Sequence, residues 1–158
     1  MKNYCYYQIS NFGNQKPVKI KNSQLRVPSP LERGWGEADM EKVNLAGKLS
    51  LFSDYYNPRI VGELNNQHVK LVKLKGEFIW HSHDKEDELF LVIRGKLKME
   101  LRDKTIEIDE GEFIIVPHGV EHRPVADEEV HILLFEPATT LNTGNIQNEM
   151  TRSSLEKL

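Results

Sequence analysis

Three histidines and one glutamate in this chain stand where they could gather around one ion. His81 and His83 lie two residues apart in the run FIWHSH. Glu88 follows the acidic turn Asp84 to Asp87, and His122 comes after a second glycine and a Pro-x-Gly turn. Side chains alternate across an extended strand, so residues i and i+2 share a face and both rings can approach one ion from the same side. Three imidazoles and a carboxylate form a mixed nitrogen and oxygen set that suits divalent Fe, Mn, Ni, Co or Zn. Such a set leaves one or two positions open on a five- or six-coordinate ion, where a substrate or dioxygen can bind or a water can be activated. A closed tetrahedral zinc of the structural kind would leave none. His-x-His alone arises by chance and on exposed edges. The ordered combination with Glu88 and His122 is what raises metal binding above that bland reading.

The same residues fall into two motifs. The first reads G-x5-H-x-H-x3-4-E-x6-G, and Gly76, His81, His83, Glu88 and Gly95 match it, with only four residues between Gly76 and His81. The second reads G-x5-P-x-G-x2-H-x3-N, and Gly111, Pro117, Gly119 and His122 match it, while Ala126 stands in place of the final Asn. In these motifs the chain resembles the cupins, over about a third of its length. The resemblance implies an all-β fold, an antiparallel β-barrel or jelly roll. It implies that His81, His83, Glu88 and His122 bind the metal. It also implies a choice of chemistries on a small molecule: oxygen-dependent cleavage of the dioxygenase kind, sugar or sugar-phosphate isomerisation, decarboxylation or epimerisation. Fold does not fix function, and a non-catalytic ligand-binding or sensor protein of the same fold stands as the alternative. No catalytic residue beyond the ligands is assigned.

Neighbouring polar residues have simpler readings. Asp84, Glu86 and Asp87 read as a solvated turn, and Glu88 rather than Asp87 keeps six residues before Gly95. His118 reads as a surface turn residue. His68 and His131 are candidates for supporting or acid–base roles if either points inward. By parity with His81 and Glu88, Ile79, Phe90 and Val92 should line an apolar pocket, while Phe78 and Trp80 should face outward. Large apolar groups on an outer face need a cover, so the expectation is a homodimer. A phosphorylated substrate would need a basic cluster, for which Arg94, Lys96 and Arg123 are the nearby candidates.

The elements that must position these residues are strands. HVKLVKL, ELFLVIR, KLKMELR, TIEIDEG, FIIVP, EHRPVA and EVHILLFEP are short apolar or alternating runs separated by turn residues, and no stretch before the tail has convincing helical length. The chain has 158 residues, 39% hydrophobic and 28% charged, enough for one domain with a real core. A net charge of -3 and a pI near 6.1 argue against nucleic acid as a partner. Cys5 is the single cysteine, so no internal disulfide forms, which fits the cytoplasm. No apolar run approaches membrane-spanning length. Residues 1–39 are basic and aperiodic, broken by Pro28, Pro30, Gly34 and Gly36, and read as a poorly ordered leader. The barrel is expected over 40–140, followed by a tail over 141–158 read as a loop.

Overall fold

The computed structural model describes residues 41–158, so the expected leader lies outside the described residues. The described chain is an antiparallel β structure with one short helix. The elements are α1 (Leu45–Leu49), β1 (Arg59–Leu64), β2 (Gln67–Glu77), β3 (Glu88–Arg94), β4 (Lys96–Leu101), β5 (Thr105–Asp109), β6 (Phe113–Val116) and β7 (His122–Pro137). The sheet runs β1-β2-β7-β3-β6, with β4 paired to β7 and β5. Two of the expected strands, EHRPVA and EVHILLFEP, are one continuous β7 of sixteen residues. Its first part pairs with β4 and its second with β3, while β2 runs along its other side. That double pairing is what curls the sheet into a barrel.

Turn chemistry sets the registers. Asn65 and Asn66 both hold positive φ, 49° and 63°, and close the β1–β2 hairpin at Leu64↔Gln67. Both central residues in the left-handed region is the geometry whose twist matches paired strands, and Asn tolerates it. Gly95 turns β3 into β4 at φ 88°, where a Cβ would meet Glu129 O at 3.0 Å, so the turn has no room for a side chain.

Alternation decides what lies inside. In β3, Glu88, Phe90 and Val92 are buried, and in β4 Leu97 and Met99 have no exposure. Phe90, Val92, Leu97 and Met99 pack with Val72 and Leu74 of β2 and with Val130, Ile132 and Leu134 of β7. Each such side chain contributes about 1.5–3 kcal/mol of apolar burial. A smaller cluster on the outer face joins Leu49, Phe52, Val61 and Leu71 and is covered by α1 and by Leu158 at the C-terminus. The run SLFSDYY forms no strand. Asn44 caps α1 by accepting a hydrogen bond from Gly47 N at 2.9 Å, and the chain then turns back over the sheet.

The parity expected for Phe78 fails. β2 stops at Glu77, its register shifts between Leu74 and Gly76, and residues 78–80 are not strand. Phe78 is buried against the His81 ring, with centroids 5.2 Å apart. Trp80 is half-buried beneath the guanidinium groups of Arg102 and Arg123, 3.9 and 5.3 Å from its ring centre. Among the described residues, two large apolar side chains stand exposed on the face of β6. Phe113 is 60% exposed and Ile115 53%. They stand opposite Leu91 and Leu89 of β3, which in turn stand opposite Leu133 and Phe135 of β7.

Candidate metal centre

The backbone brings the two motifs together before any ion is considered. His81 and His122 form an isolated antiparallel bridge, His81 N donating to His122 O at 3.1 Å and His122 N to His81 O at 2.9 Å. Directly opposed residues project to one side, and the two rings lie 4.2 Å apart. Gly119 N donates to His83 O at 2.7 Å, so the Pro-x-Gly turn holds the loop that carries His83. Glu88 opens β3 and faces the interior from across the barrel. His81, His83, Glu88 and His122 are all buried, and one ligand-type atom from each lies within 4.8 Å of the others.

The atoms at the centre have no other use. His83 Nε2 and His122 Nε2 lie 3.1 and 3.2 Å from Glu88 Oε2, yet all three are buried without a hydrogen-bond partner. His81 Nδ1 lies 3.0 Å from Ile79 O, and His122 Nδ1 lies 3.0 Å from Val120 O. A carbonyl only accepts, so each ring carries its proton on Nδ1 and turns a lone pair inward on Nε2. An ion bound at about 2.1 Å sets neighbouring donor atoms about 3 Å apart. Orphaned buried polar atoms are costly, and a divalent ion would satisfy them together.

Burial, reinforced by the neighbouring His122, pushes the His81 ring down to about 4 from 6.5, with Glu88 offsetting part of the shift. A depressed folded value means that the unfolded chain takes up the proton first. Stability from neutral His81 is therefore complete above about pH 6.5 and is lost as pH falls toward about 4, on the order of 3 kcal/mol. Urea unfolding of the metal-free protein at about pH 7.5 and about pH 4.5 should show this loss, and His81→Gln should show less of it. Parallel pH curves for the two proteins would refute the assignment.

Beside the cluster a small pocket opens, with a cavity volume of about 40 Å³. Tyr56, Phe78, Phe90 and Leu134 supply apolar walls, and His81, Glu88 and Glu136 the polar ones. Of the residues expected to line it, Phe90 does, Val92 sits deeper in the core, and Phe78 takes the place given to Ile79. Tyr56 carried no signal in the sequence. It stacks on Phe78 at 5.0 Å and donates its hydroxyl to Gly76 O at 2.6 Å. Burial and then the charge of Glu77 push that hydroxyl up to about 12, so it stays protonated.

Lys70 and Glu136 form the second feature that the sequence did not show. They are 1% and 2% exposed, and Nζ lies 2.6 Å from Oε1. Burial and the adjacent charge of Glu88 push the Glu136 carboxyl well up, and Lys70 offsets this only in part. Burial also raises Glu88, but the close approach of His122, His83 and Glu136 outweighs it and the net direction is down. Of the two carboxyls, Glu136 is therefore the first to take a proton as pH falls, and Glu88 is the one held ionised longest.

The remaining candidates lie outside the cluster. Asp87 is exposed and accepts from His118 N at 2.8 Å, beside a His118 side chain that is 61% exposed. His68 Nε2 sits 3.4 Å from Glu63 Oε1, and His131 Nε2 sits 2.8 Å from Glu129 Oε1. Neither ring lines the pocket.

Comparison with known proteins agrees with this geometry. The family model for the cupin domain, Cupin_2, matches residues 68–136. The solved structure of a cupin-2 domain containing protein from Shewanella frigidimarina is 44% identical, with a TM-score of 0.60, covering 60% of this chain and 93% of that one. The chain belongs to the cupin family. A second cupin-like neighbour, a solved protein from Neisseria meningitidis, is 31% identical with a TM-score of 0.58, covering 61% of this chain and 99% of that one. Among curated proteins, YdbB of Bacillus subtilis is 36% identical over 64 residues, 40% of this cupin and 57% of that protein, so the match spans little more than half of that relative's length. An acireductone dioxygenase of Puccinia graminis is 25% identical over 149 residues, covering 84% of this chain and 76% of that one. Among the described residues no helix is long and apolar enough to cross a membrane.

Proposed function

We propose that this cupin binds one divalent transition metal through His81, His83, Glu88 and His122 and acts on a small, largely apolar organic molecule as an oxygen-dependent enzyme of the dioxygenase kind. The observation that carries the reading is the convergence of buried, otherwise unpartnered donor atoms beside an open pocket. The bound ion would supply a Lewis-acid centre with open positions for substrate or dioxygen. The chain's own part is to orient the ligand rings through Nδ1, to hold Glu88 ionised, and to keep water off the reacting end with Tyr56, Phe78 and Phe90. The similarity to an acireductone dioxygenase points the same way.

A sugar-phosphate isomerase reading loses its anion site. Arg123 is bound to Glu77 and Glu100, at 2.7 and 2.6 Å, and Lys96 to Glu107 and Asp109, both at 3.1 Å. Neither these nor Arg94 lines the pocket. The non-catalytic alternative keeps the barrel and its ligand but shows no turnover. Oxygen uptake by the Fe(II)-loaded protein, screened against small enediols, β-diketones and catechols, separates the two. Uptake that requires one substrate class supports the enzyme. Tight binding without uptake supports the sensor.

The homodimer is proposed on a different face from the one the sequence suggested. The row from Phe113 and Ile115 across Leu91 and Leu89 is the apolar surface that needs a partner, and among the described residues β6 pairs only with β3. Sedimentation at tens of micromolar should show a dimer, and Phe113→Glu with Ile115→Lys should shift it to monomer. A monomeric wild type would end the argument.

A further inference from the structure

The candidate site has a wall that the matched cupin domain does not supply. After β7 the chain turns, Ala138 N donating to Asn66 O at 2.9 Å, and then crosses the barrel end that carries the histidines. Thr143 is fully buried, and Asn142 lines the pocket. Gly144 sits at φ 53°, and a Cβ on it would stand 2.1 Å from Ser82 O and 3.3 Å from His83 Cε1. Asn145 N donates to Ser82 O at 3.0 Å, and Ser82 N donates to Asn145 Oδ1 at 3.3 Å. Ser82 is the residue between two of the candidate ligands, so this segment grips the peptide that carries both rings.

The gripping loop is closed on itself. Asn142 Nδ2 donates to Met150 O at 2.9 Å, Arg152 N donates to Asn142 Oδ1 at 2.8 Å, and the hydroxyls of Thr143 and Thr151 meet at 2.8 Å. Its far end is tied to β1, where Leu158 N donates to Ile60 O and Ile60 N to Glu156 O, both at 2.9 Å. Both ends are therefore fixed to the barrel.

We infer that the segment from Thr140 to Arg152 is the positioning element of the metal centre, acting through Gly144 and Asn145 on the Ser82 peptide to aim His81 and His83. The inference rests on the metal reading above and adds a determinant of affinity outside residues 68–136. Gly144 is the position that binds the two together, because only a residue without Cβ fits between the loop and Ser82 O.

The test compares full-length Gly144→Ala with Gly111→Ala. Gly111 also holds a positive φ, 85°, but a Cβ there meets nothing within 4 Å. Both variants carry the strain of a left-handed alanine, and only one pushes on His83. Competition with a chromophoric chelator for Co(II), together with the Co(II) absorption spectrum, reads the ligand geometry, which a purely structural role would leave unchanged. Gly144→Ala should weaken Co(II) binding at least about 10-fold relative to Gly111→Ala and shift the spectrum. Asn145→Ala removes the Oδ1 acceptor without adding bulk, so it serves if Gly144→Ala does not fold. It should weaken binding several-fold, with Asn145→Asp retaining most of the affinity. Wild-type affinity and an unchanged spectrum in the folded variants would overturn this inference alone. A wild type that takes no metal would sink the metal reading and this inference with it.

Discussion

Lys70→Met is expected to destabilise the barrel by about 3–5 kcal/mol, the cost of leaving one member of a buried pair without its partner. The charge stranded is that of Glu136, which is 2% exposed, beside an ionised Glu88. The loss should shrink as pH falls, because protonating Glu136 removes the stranded charge. The double change Lys70→Met with Glu136→Leu should recover most of the stability, since apolar groups of similar volume cost nothing to desolvate. Urea unfolding of the three proteins near neutral pH checks this. A single variant as stable as wild type would mean that the pair is not the buried contact described.

His122→Ala is expected to weaken metal binding by at least about 100-fold, more than the loss of an outer hydrogen-bonding partner produces. The metal-free fold should still unfold cooperatively, because the apolar residues of the core supply most of the burial. His118→Ala should change nothing measurable, since its side chain is 61% exposed and bonds to Asp87. Equilibrium dialysis with Mn(II) or Ni(II) decides between them. Loss of metal in His118→Ala and not in His122→Ala would show that the second motif has been read in the wrong register.

Much of this was visible in the sequence because it depends on local spacing. The alternation of Leu97 and Met99 against Lys96, Lys98 and Glu100 marked the buried face of β4. The motif spacing chose Glu88 over Asp87. What stayed hidden depends on partners distant in the chain or on backbone without period. Lys70 reads as a solvated lysine until Glu136 reaches it diagonally from the neighbouring strand β7. Phe78 turns inward because β2 ends at Glu77 and parity ends with it. Tyr56 reaches the pocket through a positive φ of 54°, which nothing in its neighbours announces. The tail is held by side-chain to backbone bonds from Asn142 and Asn145, which leave no hydrophobic pattern to read.

The central claim is that four buried side chains hold one ion. Metal analysis by inductively coupled plasma mass spectrometry on full-length protein, purified without a polyhistidine tag, tests it most directly. Close to one divalent transition metal per chain is expected in the wild type and little in the combined variant His81→Ala with His122→Ala. Wild type that holds no metal after incubation with Fe(II), Mn(II), Ni(II), Co(II) and Zn(II), or a double variant that holds as much as wild type, would contradict it.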